Sequence, residues 1–252
     1  MKTRLLSITG SVAALLFGVW CYNYVHRGAP SAMRGFELPG ADVGVSPLQA
    51  AEQLTRLDAK PGLHKVRIEG TSSIHDWQVE GTIIAGYIEV GPNFPVQPGQ
   101  EVQPGKTEAR LEAFIPVRSL KSLNNDGTPY SDKMNEVMYE KLKQPANPRI
   151  LYRLSELTLK EAPKTKEAPY VFDSKGDLVM AGVTNNISMA VNVTALGDKK
   201  VKITGNTTVK MTDFRVEPPN PPLGLGFIKT GDDVKLSFEW TVGQKPGSAA
   251  GK

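Results

Sequence analysis

The chain has 252 residues, with 40% hydrophobic and 22% charged side chains, which is close to the average of globular proteins and excludes disorder of the whole chain. This length accommodates one large domain and a targeting segment, but not two ordinary domains with separate cores beside that segment. The formal net charge of +4 falls to +1 beyond residue 27, where 27 basic and 26 acidic residues remain, and a domain so close to neutral lacks the basic surface of a nucleic-acid-binding protein.

Residues 1–27 are predicted to be a signal peptide or a signal anchor. Lys2 and Arg4 precede an uncharged, mostly apolar run that approaches the length of about 20 residues needed to span a membrane. We expect an uncleaved anchor, because the alternative, cleavage at a small-residue site near Ala29 and Ser31, lacks suitable residues before that site. The following domain is then expected in the bacterial periplasm, anchored to the inner membrane, or secreted into the periplasm if the segment is cleaved.

The only cysteine of the chain, Cys21, lies within this apolar run. An intrachain disulfide bond and a zinc site built from cysteines are therefore excluded. Acylation of Cys21 would make the protein a lipoprotein, but the bulky Trp20 stands where lipoprotein signals have a small residue. The domain must then be stabilised by its hydrophobic core.

Residues 28–61 are predicted to form a linker that contains one short helix. The first part of the linker is rich in Gly, Ala and Pro, as expected of a tether. Ser46, followed by Pro and with Gln49 three residues later, is typical of a helix N-terminus. This helix is expected to end near Lys60 and to pack against the domain.

Residues 62–243 are predicted to form an all-β domain, followed by a disordered tail at residues 244–252. From Leu63 onward apolar and polar residues alternate, as in strands with one buried and one solvent-exposed face. Alternation predicts about eight antiparallel strands within residues 63–69, 74–90, 111–117, 150–159, 178–180, 187–193, 201–211 and 234–242. The run 74–90 is predicted to be one long strand with Trp77 and Tyr87 on the same face.

One short internal helix is predicted from Asp132 to Lys143, capped by Ser131 and ended before Pro145. It is expected to pack on the core through an apolar stripe of Met134, Val137, Met138 and Leu142. Many strands and no regular alternation of strands with helices leave a β-sandwich or a closed barrel, and periodicity alone cannot choose between them. A barrel of about eight strands can enclose one small ligand.

Short motifs follow one another along the β domain in a fixed order. They lie at residues 70–81, which include His75-Asp76-Trp77, and at residues 115–122, 134–143, 148–152, 176–184, 211–214 and 231–234. Together these motifs resemble the YceI-like family of lipocalin-like periplasmic barrels associated with polyisoprenoid and other lipid binding. The resemblance spans roughly residues 63–242. It implies a lipocalin-like barrel with an apolar tunnel for an amphiphile such as an isoprenoid quinone or a fatty-acid-like lipid.

In such a tunnel, large apolar side chains on the inward faces of the strands are the candidate ligand contacts, because binding keeps hydrocarbon from water. The predicted ligand-binding residues are Trp77, Tyr87, Tyr152, Met189, Met211, Phe214, Phe238 and Trp240. Most of them also fit a role in packing the core. Phe114 lies off the parity of its strand and is a weaker candidate. Leu223, Leu225 and Phe227, in a Pro/Gly-rich loop, are expected to gate the mouth of the tunnel.

The sequence does not favour catalysis. His75 and Asp76 are neighbours on a predicted strand, so their side chains point to opposite faces and do not form a catalytic pair. His64 shares the apolar parity of its strand and is expected to be packed in the core or at its rim. The three histidines are scattered along the sequence, so no metal site is predicted. The sequence contains neither a glycine-rich phosphate loop nor a nucleophile elbow, so it indicates neither a phosphate-binding cofactor site nor a hydrolase.

The predicted function is therefore to bind and carry or store an amphiphilic apolar ligand in a barrel tunnel in the periplasm. The expected partners are a polyisoprenoid, an isoprenoid quinone or a fatty-acid-like lipid, and the membrane through the N-terminal segment, with no nucleic acid. The alternative is a membrane-tethered structural or interaction module with no bound ligand. The two functions differ in whether the purified protein retains an amphiphile.

Overall fold

The computed structural model describes residues 54–219 and 228–245. The predicted signal segment, Cys21 and most of the predicted linker lie outside the described residues, as do the candidate gating residues Leu223, Leu225 and Phe227 and most of the predicted tail. Within residues 54–219 and 228–245, no helix is long and apolar enough to cross a membrane.

The described residues form an all-β domain with one α-helix, as the sequence predicts. The strands are β1 (Thr55–Ser72), β2 (Trp77–Gly81), β3 (Ala85–Val90), β4 (Gly105–Lys106), β5 (Ala109–Pro116), β6 (Lys121–Leu123), β7 (Arg149–Glu161), β8 (Tyr170–Met180), β9 (Val183–Gly197), β10 (Lys200–Lys210) and β11 (Thr230–Gly243). The helix α1 spans Asp132–Lys141, and two short 3-10 turns span Val117–Ser119 and Thr212–Phe214.

Eight of these strands close into an antiparallel barrel in the order β1-β3-β5-β7-β8-β9-β10-β11. Closure rests on the pairing of β1 with β11, which extends along almost the whole of both strands. The other edge of β1 pairs with β3 through residues 55–58 and with β2 through residues 66–70. β2 extends the sheet to β6, and β4 continues β5 along β7. The β1–β11 ladder therefore makes the domain a closed barrel and not a sandwich.

Alternation along the strands places one set of side chains in the barrel interior. On β8, Phe172 and Ser174 are buried, whereas Asp173 and Lys175 are exposed. Successive side chains of a strand point to opposite faces, so a period of two in the sequence becomes an apolar interior and a charged exterior. On that exterior the Lys175 ammonium lies 2.9 Å from the Glu156 carboxylate of β7.

The first strand begins earlier than the sequence predicts. β1 starts at Thr55, so the predicted helix that ends near Lys60 is wrong from Thr55 onward. Leu57 is completely buried and lies opposite Ile88 in the β1–β3 ladder. Apolar spacing before Lys60 fits one face of a helix, but pairing with neighbouring strands on both edges overrides that local preference.

The long strand predicted over residues 74–90 is two strands. β2 ends at Gly81 and β3 begins at Ala85, after a break of the ladder. Val79 is buried before the break and Ile88 after it. Residues an odd number of positions apart cannot share one face of a continuous strand, so the break reverses the inward parity.

The internal helix is confirmed, and its N-terminus follows Ser131 as predicted. Within the described part of the chain, however, the Ser131 hydroxyl makes no capping hydrogen bond. The helix packs through Asn135 and Tyr139, which are buried, whereas the predicted contact residue Met134 is 38% exposed. The Asn135 Oδ1 accepts hydrogen bonds from the amide and the hydroxyl of Ser122, at 2.7 and 2.9 Å, which fixes α1 against β6.

Candidate ligand cavity

The barrel encloses an elongated cavity of about 100 Å³. Strands from nearly every side of the barrel contribute to its lining, and almost all lining side chains are apolar. They are Ile84, Ile88, Phe94, Leu111, Ala113, Phe114, Ile115, Ile150, Tyr152, Leu154, Leu157, Ser174, Leu178, Ile187, Met189, Val191, Val193, Ile203, Thr207, Leu236, Phe238 and Trp240. The interior of the barrel is therefore not packed solid.

The distribution of the lining residues gives the cavity its shape. On β9 they occupy every second position from Ile187 to Val193, a distance of roughly 20 Å along the strand. An engineered apolar cavity of about 150 Å³ binds benzene. The cavity here is smaller, about 100 Å³, so its lining side chains must move apart to admit a long apolar chain. We refer to this elongated cavity as the channel.

Aromatic side chains close the cavity at the end near the start of β8. Phe172 is completely buried, and its ring stacks on that of Phe94 with the ring centroids 5.8 Å apart. The Tyr170 hydroxyl donates a hydrogen bond to the Gln100 carbonyl at 2.6 Å and holds the loop that follows Phe94 against the barrel. Phe94 also lines the cavity, so the stacked pair of Phe94 and Phe172 forms an aromatic floor.

Half of the predicted ligand-binding residues lie on the cavity wall. Those that line it are Tyr152, Met189, Phe238 and Trp240. Tyr87 lies on the outer face of β3, where the Arg56 guanidinium stacks 3.7 Å from its ring centroid. The predicted inward orientation of Tyr87 is therefore wrong, because the break between β2 and β3 reverses the alternation.

The other three predicted residues are buried or half-buried away from the cavity. Trp77 lies across Gly70 of β1, and its Nε1 has no hydrogen-bond partner among the described residues. Met211 and Phe214 are buried in the turn that follows β10, at the end of the barrel opposite the aromatic floor. The assignment of ligand contacts to these residues and to the four on the cavity wall stays a prediction.

Most lining residues that the sequence analysis did not select are aliphatic. Ile150, Leu154 and Leu157 lie on the inward face of β7. Alternation indicates such positions, but a search for large aromatic and methionine side chains passes over them. Phe114 also lines the cavity although it is off parity, and the Arg149 guanidinium lies 4.3 Å from its ring centroid.

Three lining side chains carry a hydroxyl, Tyr152, Ser174 and Thr207, and two of them form a hydrogen-bonded pair. The hydroxyl oxygens of Tyr152 and Ser174 lie 2.7 Å apart. Gly176 makes room for the tyrosine ring, since a Cβ at that position would lie 2.6 Å from the Tyr152 Cζ. Burial raises the pKa of Tyr152 above its ordinary value, so its hydroxyl stays protonated at neutral pH. The pair therefore places two O–H groups in an apolar space.

The residues of the barrel identify its family. The family model of the YceI-like domain matches residues 65–242, which is most of the chain. The chain belongs to the YceI-like family. No curated protein sequence matches this YceI-like chain.

The YceI-like domain resembles solved structures at low sequence identity. A polyisoprenoid-binding domain from Saccharophagus degradans, implicated in plant cell wall breakdown, matches with a TM-score of 0.54 and 13% identity, over 77% of this chain and 100% of that one. BcnA of Burkholderia cenocepacia matches with a TM-score of 0.49 and 15% identity, over 71% and 95% of the two chains. A YceI protein of Campylobacter jejuni gives 0.43 and 15%, over 67% and 85%. The likeness to the Saccharophagus domain shows a shared fold.

The histidines of the YceI-like domain contact backbone groups. His75 Nδ1 lies 2.9 Å from the carbonyl oxygen of Asp76, so the ring contacts the peptide and not the neighbouring carboxylate. His64 Nδ1 accepts a hydrogen bond from the Thr241 amide at 3.5 Å. In residues 54–219 and 228–245, no group of three or more His, Cys, Asp or Glu side chains could hold a metal ion.

We expect the free energy of unfolding to decrease as the pH is lowered through the titration range of His64. Burial lowers the pKa of His64, and a proton on Nδ1 would remove the acceptor of the Thr241 amide. The unfolded chain then binds this proton at a higher pH than the folded chain does, so stability present above about pH 6.5 is lost progressively below it. Urea unfolding on either side of that pH measures the loss.

A variant of this histidine separates its effect from general acid sensitivity. His64→Gln should flatten the pH dependence of the free energy of unfolding. A pH dependence that is identical in the wild type and in His64→Gln would show that His64 is not its source.

Proposed function

We propose that this YceI-like domain binds an amphiphilic apolar molecule inside its barrel and carries or stores it in the bacterial periplasm. The molecule is a polyisoprenoid, an isoprenoid quinone or a fatty-acid-like lipid, bound through its apolar chain. The observation that carries the proposal is the elongated apolar cavity of about 100 Å³ along the barrel interior.

The chemistry of the cavity wall supports an apolar chain as the occupant. Withdrawing hydrocarbon from water contributes about 25 cal/mol per Å² of apolar surface, and this gain needs no directional contact. A wall of Ile, Leu, Val, Met and Phe side chains supplies such an environment along the length of the channel. A water-soluble, polar metabolite would lose its hydrogen bonds to water there and recover few of them.

The solved relative supports the same ligand class. The Saccharophagus degradans domain, which shares the fold, is described as polyisoprenoid-binding. A polyisoprenoid is a hydrocarbon chain with one methyl branch in each isoprene unit, so it presents only apolar surface to the cavity wall.

The N-terminal segment supports the proposed location. Residues 5–25 are uncharged and mostly apolar, and Lys2 and Arg4 precede them, as in segments that direct export. We propose that this segment holds the domain at the inner membrane, with the barrel on the periplasmic side. We also propose that the domain acts without catalysis, which the contacts of His75 and His64 with backbone groups support.

Native mass spectrometry of the full chain, purified in mild detergent from its own host, tests the proposal. We expect an additional mass that matches one lipid per chain, and organic extraction should release the same lipid. Rebinding of the extracted lipid should change the fluorescence of Trp240, which lines the cavity. A Trp77→Phe background leaves one tryptophan in the barrel and makes the change easier to assign.

The competing function predicts the opposite result. A membrane-tethered module that works through its exterior should show no additional mass, release no lipid and leave the Trp240 emission unchanged when lipid is added. That combination would remove the proposal of a carrier.

A further inference from the structure

The hydroxyl pair of Tyr152 and Ser174 lies at the middle of the channel and not at one end. Ser174 is 3% exposed, and its backbone lies opposite Met189, near the centre of the lining run of β9. Lining residues continue on both sides of the pair, to Ile187 in one direction and to Val193 beside the aromatic floor in the other. A molecule that fills the channel must pass this pair.

The two hydroxyls carry two hydrogens, but only one of these hydrogens has an acceptor in the pair. Each hydroxyl carries one hydrogen, and their mutual hydrogen bond at 2.7 Å uses only one of the two. Among the described residues, no other group receives a hydrogen bond from either oxygen. One O–H of the pair therefore has no protein acceptor among the described residues, and a buried donor left in that state is destabilising.

The protonation of the pair is fixed over the physiological range. A serine hydroxyl does not ionise there, and burial raises the pKa of Tyr152 above its ordinary value. The pair can therefore donate one further hydrogen bond. A neutral oxygen atom with a lone pair is a suitable acceptor for it. The apolar wall around it disfavours an ionised carboxylate.

We infer that Tyr152 and Ser174 select, among apolar chains, those that carry a carbonyl oxygen within the chain, as in an ester or a ketone. The inference rests on the proposed function, because it concerns the same channel, and it narrows the ligand class from any apolar chain to an oxygenated one. The chain segments on either side of the carbonyl contact the two halves of the apolar wall. The carbonyl accepts the hydrogen that the pair has free.

Two probes of equal length test this selection with the full chain. Dihexyl ketone has its carbonyl at mid-chain, and n-tridecane is the matching hydrocarbon. Each is delivered from cyclodextrin, and its dissociation constant is measured by native mass spectrometry. The dissociation constant expected for the ketone without a hydrogen bond is that of the alkane, corrected for the lower hydrophobicity of the ketone. We expect the measured ketone to bind about threefold to tenfold more tightly than this value, which is the range of one added hydrogen bond.

A double variant isolates the hydrogen bond. Tyr152→Phe combined with Ser174→Ala removes both hydroxyls and leaves no unpaired partner, so the ketone preference should disappear while the alkane binds as before or better. The carbonyl stretching frequency of bound ketone should be lowered in the wild type and return to its hydrocarbon-solvent value in the double variant. Leu178→Val, another change in the channel wall, should alter both affinities alike and keep their ratio.

The outcomes distinguish the inference from the function on which it rests. If both probes bind and the double variant keeps the wild-type ratio, the selection by Tyr152 and Ser174 is wrong and the apolar carrier stands. The same holds if the carbonyl frequency is not lowered, as when a retained water satisfies the pair. If neither probe binds and no lipid is extracted from the native protein, the carrier function itself fails.

Discussion

Replacing Ala113 with phenylalanine is expected to reduce the amount of lipid retained by the protein at least tenfold. Ala113 lies on β5 and lines the cavity, directly opposite Gly86 of β3 and Tyr152 of β7. A benzyl group is close to benzene in size, and a cavity of about 150 Å³ takes one benzene. The cavity here is about 100 Å³, so the new ring occupies the space that a ligand chain needs. Extraction and quantification of lipid from purified protein measure the effect.

The control for Ala113→Phe is the same substitution on the outer face of the barrel. Ala190 lies on β9 and is exposed, so Ala190→Phe should leave the retained lipid unchanged. Overpacking costs about 1–3 kcal/mol, so the folded state of both variants is verified by thermal unfolding before the lipid is compared. Full lipid retention in a folded Ala113→Phe variant would place the ligand outside this cavity.

Replacing Phe172 with alanine is expected to lower the free energy of unfolding by about 3–5 kcal/mol. Phe172 is completely buried, and its ring stacks on Phe94 in the aromatic floor. Truncation removes buried apolar surface and also enlarges a cavity that is already present, so the neighbouring side chains cannot easily collapse into the gap. Urea-induced unfolding gives the loss, with the midpoint lowered at an unchanged slope.

A second aromatic residue provides the matched control. Tyr87 lies on the outer face of β3 beneath Arg56, and an exposed contact of a cation with an aromatic ring contributes about 0.5–1 kcal/mol. Tyr87→Ala should therefore cost far less stability than Phe172→Ala, and it should not change lipid retention. Similar losses in the two variants would contradict the assignment of Phe172 to the interior and Tyr87 to the exterior.

Both pairs of substitutions test the same geometric property, which is whether a side chain points to the inside or to the outside of the barrel. Ala113 and Ala190 are the same residue type on opposite faces of the barrel, and Phe172 and Tyr87 are both aromatic side chains on opposite faces. Comparison within the alanine pair removes the contribution of residue type, and comparison within the aromatic pair reduces it. What remains measures the difference between the inside and the outside of the barrel.

Alternation of apolar and polar residues predicts much of this fold, because a strand in a barrel must present one face to the interior and one to solvent. β8 follows this rule, with Phe172 and Ser174 buried and Asp173 exposed between them, but the predicted strand covered only residues 178–180 and missed the first part of β8. The internal helix was equally predictable from its apolar spacing and from the serine before it, since both are local signals. The family resemblance added the barrel, which periodicity alone left open.

The errors arise where a contact distant in sequence decides the local structure. Residues 55–59 form a strand because β3 pairs with residues 55–58 and β11 pairs with Asp58 and Ala59, and neither partner is visible in the spacing that suggested a helix. Tyr87 faces outward because the ladder breaks after Gly81, and a one-residue change of parity moves every later side chain to the other face. Tyr87 was predicted to lie in the interior and does not. Leu154 and other aliphatic residues line the cavity but were not predicted to do so.

The sequence by itself determined the all-β class, the internal helix, the near-neutral charge and the alternation that separates interior from exterior. These are local or additive properties, carried by spacing and composition. Only the tertiary structure decided that β1 pairs with β11, that the interior holds an open channel, and that the Tyr152 and Ser174 hydroxyls meet there. The volume left inside a closed barrel depends on how side chains from all its strands fit together, and no single segment of sequence contains that information.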